Sequence, residues 1–310
     1  MSIPKDHHLL PAFYLRGFCN GEMHKGESHE DDPTRCRVFI HDRERGECRA
    51  RGVKNIAIER LFYSADTLEG GRDPEPEEKL SVLETRAARI TRNLSYRGGL
   101  TNVQRAWLAR FVAYMKFRTP AFRNWTELFA EKNAKALKEL YFPTLDSIRE
   151  YVRARGIAVD EMPEKIAELY TRVHDESYKM PVTKNYMLLL MFELGDKVAE
   201  VLFSLDWTFA WGRTRTSFVT SDDSLVVLDE RMEPPDTYAG EVGVASRTTT
   251  KVLPLRQDVC LLIGTGAPSI RHVRLDRKTV RELNLKQARH YDRWLIARDK
   301  ELCKRVMDAV

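Results

Sequence analysis

The stretch LSVLETRAARITRNL, Leu80 to Leu94, decides how the chain is read. Leu80, Leu83, Ala87, Ile90 and Leu94 recur three and four apart, which lays one apolar stripe along a helix. Upstream the period changes. CRVFIHD (Cys36 to Asp42), the turn RERG and the return ECRARG read as a β-hairpin. HKGESHEDDPTR (His24 to Arg35) reads as a polar loop, and GGRDPEPEE (Gly70 to Glu78) as a linker rich in Gly, Pro and acid.

Downstream, a second helix is expected from Asn102 to Thr119, stopping before Pro120 because a residue preceding proline avoids helical geometry. Further helices are expected over 125–155, over 163–178 with Pro163 in the first turn, and over 183–204. WTFAWG, SFVTSD, SLVVLD, TKVLPL and VCLLIG then read as short strands, followed by a helix from Arg277 to Val310. The chain is therefore expected to be α+β. A β-rich segment, 1–76, precedes a helical block, 77–205, and a β segment ending in a helix, 206–310. The terminal strands are expected to combine into a sheet around the helical block, in one integrated unit.

Composition narrows the class. With 43% hydrophobic and 31% charged residues over 310 positions, the chain has enough apolar material for a real core and is not a disordered segment. The five cysteines form no CxxC pair, and their odd number argues against a disulfide framework and for a reducing cytoplasm. Asp6, His7 and His8 precede any apolar run, so no signal peptide is expected. The most apolar window, YMLLLMFELG (Tyr186 to Gly195), is about half the length needed to span a bilayer and reads as a buried helix, with no membrane partner.

The net charge of +5 is unevenly spread. Thr85 to Thr126 holds no acid and nine cations, running from Arg86 to Arg123, with Tyr96, Trp107, Tyr114, Phe122 and Trp125 among them. Such a stretch attracts phosphate, and its aromatics can stack bases, so RNA or DNA is the expected partner. Arg105, Lys116 and Arg123 are candidates for holding it. The bland alternative is that acids elsewhere in the fold neutralise the stretch.

Three constellations invite chemistry. His7 and His8 are adjacent on an expected strand, so only one can face a given site, and His8 is the candidate. FVTSDDSLVV (Phe218 to Val227) puts Ser221, Asp222 and Asp223 at a strand tip, where Asp222 can orient an imidazole and both carboxylates can hold a divalent metal, Mg or Mn. The same residues also suit an ordinary turn. Arg118 falls in the middle of the helical arc of Val103, Trp107, Phe111, Tyr114 and Met115, which is costly unless an anion meets it. Glu84, Asp222 or a bound anion are the candidates. There is no GxGxxG, phosphate-binding GK[ST] loop, HExxH or GxSxG.

Taken together, His8-x-x-Pro11-x-Phe13-Tyr14-Leu15-x-x-Phe18, VKNIAIERLFYS, LSVLE, KFRTPAFR, Thr220-Ser221-Asp222, LPL and LNLKQARHYDRWLIA, in that order, resemble the bacterial domain-of-unknown-function 4238 family over nearly the full chain. The chain departs from that pattern at Ser224, where the family has proline. The resemblance supplies no activity. It implies that His8, Arg118, Ser221 and Asp222 act as a group.

Two functions follow as expectations. One is a phosphodiester hydrolase acting on nucleic acid or a nucleotide, with His8 as base or ligand, Asp222 as ligand or orienter, Arg118 as phosphate clamp and Ser221 binding substrate. The other is a non-catalytic binding or regulatory module in which the same polar set is a structural lock.

Overall fold

The computed structural model describes residues 6–19, 36–60, 62–63, 65–66, 71–157, 163–175, 183–228 and 243–310. The polar loop expected over His24–Arg35 lies outside them. In chain order the first elements are β1 (Asp6–His8), α1 (Ala12–Arg16), β2 (Arg37–Asp42), β3 (Glu47–Gly52), β4 (Ile58–Arg60), β5 (Ala65–Asp66) and β6 (Arg72–Asp73). The helices α2 (Glu75–Arg92), α3 (Asn102–Phe117), α4 (Pro120–Tyr141), α5 (Leu145–Arg153), α6 (Pro163–His174) and α7 (Lys184–Phe203) follow. The last third holds β7 (Trp207–Gly212), β8 (Thr220–Ser221), β9 (Val226–Leu228), β10 (Thr250–Arg256), β11 (Val259–Ile263) and β12 (Ile270–Leu275). It closes with α8 (Arg277–His290), β13 (Trp294–Ala297) and α9 (Lys300–Met307). The class is α+β.

The expectation that the chain's two ends share a sheet is met. A four-stranded antiparallel sheet runs β3-β2-β13-β8, with Ile296 of β13 opposite Ile40 on one side and Thr220 on the other. A five-stranded sheet runs β12-β7-β11-β10-β9, and its β12–β7 edge is parallel. The first strand pairs with β4, so His7 lies opposite Glu59 and His8 opposite Ile58. By contact the chain divides into two compact units, residues 1–119 with 188–310 and residues 120–187. The second has its own small core, Ile148 and Ile166 with Phe142, Leu145 and Tyr170 against them.

Local chemistry explains the helix ends. Thr101 and Gln104 form a reciprocal capping box at the start of α3, satisfying amides that the first turn leaves open. Three glutamates in the first turn of α2 and two arginines in its last complement the helix dipole. Leu80, Leu83, Ala87 and Ile90 are buried as the stripe requires. On α3 the expected arc is displaced at its start, because Val103 is 67% exposed. From Leu108 onward the helix is enclosed almost all round.

Two expectations are corrected. The chain does not end in one helix from Arg277 to Val310. WLIA, Trp294 to Ala297, is a strand at the centre of the four-stranded sheet. A short continuous apolar run has no period, so it reads equally as helix or buried strand. The argument from odd cysteine number also fails. Cys19 and Cys36 form a disulfide with their Cα atoms 5.6 Å apart, while Cys48, Cys260 and Cys303 stay free. Pairing is decided by Cα spacing, which a count does not report. The bond joins the end of α1 to the start of β2. Among the described residues, no helix is long and apolar enough to cross a membrane.

One helix connects the two sheets. Val280 of α8 packs with Ala210, Val252 and Cys260 of the five-stranded sheet and with Phe218. Ala288, two turns later, packs with Leu295 and Ala297 of the four-stranded sheet and with Val219. Because Ile296 is fully buried between β2 and β8, Ile296→Ala is expected to lower unfolding free energy by about 2–5 kcal/mol in urea melts. Val103→Ala should stay within about 0.5 kcal/mol. Similar melts for the two variants would place β13 outside the core.

Candidate functional site

The strand tip at Thr220–Ser221–Asp222–Asp223 is buried, and every one of its polar side chains has a protein partner. Asp222 Oδ1 accepts the Asp292 amide at 3.0 Å, and Oδ2 accepts those of Arg293 at 2.7 Å and Trp294 at 3.1 Å. Its own amide donates to the Trp294 carbonyl. Burial lifts the Asp222 carboxyl from 3.8 to about 6, and the three amides pull the other way without cancelling it. Asp223 holds the Lys116 ammonium at 3.1 Å, both side chains being largely buried. Ser221 Oγ donates to the Asp223 carbonyl and accepts from Gln287 Nε2. Thr220 meets the Tyr14 hydroxyl at 2.6 Å, and Tyr14 also donates to the Pro254 carbonyl. Ser224 is fully buried beside Tyr14.

Arg118 is 3% exposed, just past the end of α3. Its Nη2 meets Glu84 Oε1 at 2.7 Å and the His8 carbonyl at 2.9 Å, and its Nε donates to the Tyr63 hydroxyl at 2.9 Å. Nη1 is buried with no hydrogen-bond acceptor among the described residues. The guanidinium also lies 5.1 Å from the Tyr63 ring centroid. Burial alone lowers the Arg118 pKa, but Tyr63 and Glu84 more than reverse this. Of the three anion candidates raised from the sequence, Glu84 is the one Arg118 meets.

The expected triad is therefore divided. Asp222 is bonded to the turn before β13, and Arg118 to α2 and the N-terminal segment. His8 joins Arg118 through its backbone carbonyl. Its ring is half-buried, whereas His7 is the buried histidine, at 3% exposure. Strand alternation allowed one inward histidine, and the structure selects the other one. His7 Nδ1 accepts the Tyr63 amide at 2.7 Å, its ring stacks on Tyr63, and Nε2 lies 3.5 Å from Glu77.

The binding candidates also separate. Arg105 is 6% exposed and donates to the Leu205 carbonyl, with its guanidinium 5.1 Å from the Trp207 ring centroid. Burial lowers its pKa. Arg105 and Lys116, expected to hold RNA or DNA, are both turned into the protein. The cause is the enclosure of α3, which the apolar arc underestimated. Arg123 belongs to the second unit. Asp222 and Asp223 point to different partners, and among the described residues no group of three or more His, Cys, Asp or Glu could hold a metal ion.

Sequence reasoning missed Tyr14, Tyr63, Asn284 and Gln287. Asn284 accepts the Val219 amide and donates to the Ser217 carbonyl, which fixes the strand leading into the tip. Its signal was present. Asn284 sits between Val280 and Ala288 on the apolar face of α8, the same anomaly that singled out Arg118. Tyr14 and Tyr63 gave no signal, since a tyrosine in an apolar run reads as core until its hydroxyl finds a partner.

The family model of proteins of unknown function DUF4238 matches residues 6–301. The chain belongs to that family. The match takes in the strand tip, Arg118, both histidines and α8. No curated protein and no solved structure matches the chain.

Two predictions follow from this geometry. A carboxyl raised in the fold is protonated in both states below 3.8, and its ionisation is resisted in the folded state up to about 6. Its contribution to stability is therefore lost as pH rises from about 4 to about 6. The stability of wild type minus that of Asp222→Asn, from urea melts at each pH, should fall across that window and level off above it. Each unit of displacement is worth about 1.4 kcal/mol. A difference that rises with pH would mean a carboxylate stabilised in its charged form. Second, His7→Ala should cost about 1–3 kcal/mol because it strands the buried Tyr63 amide. His8→Ala leaves the carbonyl bond to Arg118 in place and should cost less, and the reverse order would restore His8 as the inward residue.

Proposed function

We propose that this chain is a non-catalytic nucleic-acid-binding module in which the buried polar set is a structural lock. The observation that carries the reading is the Asp222 carboxylate, whose two oxygens accept three consecutive backbone amides. A hydrolytic site turns its base, carboxylate and cation toward a substrate and gains from charge developing there. Here Asp222, Asp223, Lys116 and Arg118 each face protein partners. The hydrolase reading, with His8 as base, Asp222 and Asp223 on Mg or Mn and Arg118 on phosphate, needs all of them to be released.

A polyanion as ligand is supported by what the lock leaves over. Arg86, Arg89, Arg92 and Arg97 of the acid-free stretch are exposed, and the chain carries a net charge of +5. Exposed cations in excess gain affinity for a phosphate backbone by releasing its counterions, a gain that salt removes.

The test joins binding to chemistry. Labelled single-stranded RNA and DNA are titrated with the protein by fluorescence anisotropy at low and raised salt. The same oligonucleotides are incubated with the protein and Mg²⁺ or Mn²⁺ and resolved on a gel. Affinity is expected to fall about 300-fold or more between 50 and 200 mM salt if six or more phosphates of a single strand are held, with no cleavage. Cleavage that His8→Ala abolishes would overturn the lock in favour of the hydrolase. No binding at the lowest salt would overturn the ligand class.

A further inference from the structure

Away from the lock, one face gathers cations that the fold does not use. A cavity of about 570 Å³ opens between α8, α9 and the turn after β7. Arg215, Arg277, Lys278, Arg281 and Arg305 line it, and no acid does. Its floor is apolar, formed by Val280, Leu285, Leu302 and Val306. Among the described residues none of the five cations has a carboxylate within 4.0 Å. Asp276, just before α8, is occupied by the Thr279 amide. Five like charges around one apolar floor repel one another, and a bound polyanion relieves that repulsion.

A second cavity, of about 680 Å³, shares Arg215 and Thr216 with the first. It adds Arg213 and Arg274 and an aromatic wall of Tyr96 and Trp211. Its acid, Asp258, is held by Arg256 at 2.9 Å. Tyr96 is half-buried, with the Arg274 guanidinium 4.6 Å from its ring centroid and Trp211 edge-on at 6.2 Å. Arg215 stands where the two cavities meet with φ at 67°, a left-handed geometry that a side-chain-bearing residue adopts at a cost. Neighbouring Arg97, an exposed cation of the acid-free stretch, has its guanidinium 5.5 Å from the Tyr96 ring centroid.

We propose that these joined cavities form a groove for single-stranded nucleic acid, with phosphates along the Arg215–Arg281 side and an unstacked base against Tyr96 and Arg274. This rests on the reading that the chain binds nucleic acid and locates the site. Cations alone would serve a duplex equally, since a duplex presents its phosphates outward. The aromatic and guanidinium planes and the apolar floor serve a base only when it is free of its stack.

The test uses the full chain and a fluorescent oligothymidylate or oligouridylate of about 16 nucleotides, read by anisotropy over a salt series. Arg277→Ala with Arg281→Ala is expected to weaken binding at least about tenfold and to flatten the log K against log salt slope by about 1.4, or about 0.7 per lost phosphate contact. Tyr96→Ala should weaken single-strand binding while leaving the slope unchanged. Lys286→Ala with Arg289→Ala removes the same charge from exposed positions of α8 outside the groove and should stay within about twofold. Thermal melts check that each variant folds, and Arg277→Gln with Arg281→Gln is the milder pair if the alanines do not. Wild type failing to bind any strand overturns both the nucleic-acid reading and the groove. Binding that the groove pair leaves intact, or that Lys286 and Arg289 control equally, overturns the groove alone. Equal affinity for a duplex of the same length overturns the single-strand assignment.

Discussion

The carboxylate of Asp222 sits at the end of a two-residue strand and receives the amides of Asp292, Arg293 and Trp294. A carboxylate buried there is costly, so the chain that returns after α8 must present those three amides together. That requirement fixes the turn before β13, and with it the register of Leu295 and Ile296 against β8. The same strand tip is held from other directions by Tyr14 of α1, Lys116 of α3 and Gln287 of α8, and Asn284 of α8 fixes the segment that leads into it. Elements far apart in sequence therefore meet at four consecutive residues. An unmet partner at such a point costs the desolvation of what it leaves behind, which is why the set acts as a unit.

The cations divide by the same logic. Arg105, Lys116 and Arg118 come from the acid-free stretch, yet each is drawn inward by a carbonyl, carboxylate or phenol. Their charges serve the packing of α3 against its neighbours. A second set of exposed cations lies on α8, α9 and the turn after β7, where the five that line the first cavity have no carboxylate within 4.0 Å among the described residues. A linear scan for basic stretches pointed to the first group. Only the fold, by bringing Arg215 beside Arg281 and Arg305, assembles the second.

What could be read from the sequence followed from local rules. The stripe of α2, the end of α3 before Pro120 and the hairpin of β2 and β3 are written in spacing and turn chemistry, and the structure has them. The closing of both chain ends into one sheet followed from the shortness of each strand set. What stayed hidden depended on non-local contacts. His7 and His8 differ by one position on a strand, and alternation says that they part without saying which goes in. WLIA carries no period. The Cys19–Cys36 bond depends on a Cα distance. Asp222 was recognised as special, but its partners are backbone amides, which have no signature in a list of side chains.

The most direct measure of the lock is amide hydrogen exchange at Asp292, Arg293 and Trp294, in wild type and in Asp222→Asn. If the carboxylate holds the turn, these amides exchange in wild type only through large-scale opening. In the variant one of the two oxygens becomes an NH₂ that cannot accept, so the amide or amides that face it exchange faster by orders of magnitude while β7 and β11 stay protected. Rapid exchange at all three in wild type, or the same protection in both proteins, would contradict the account.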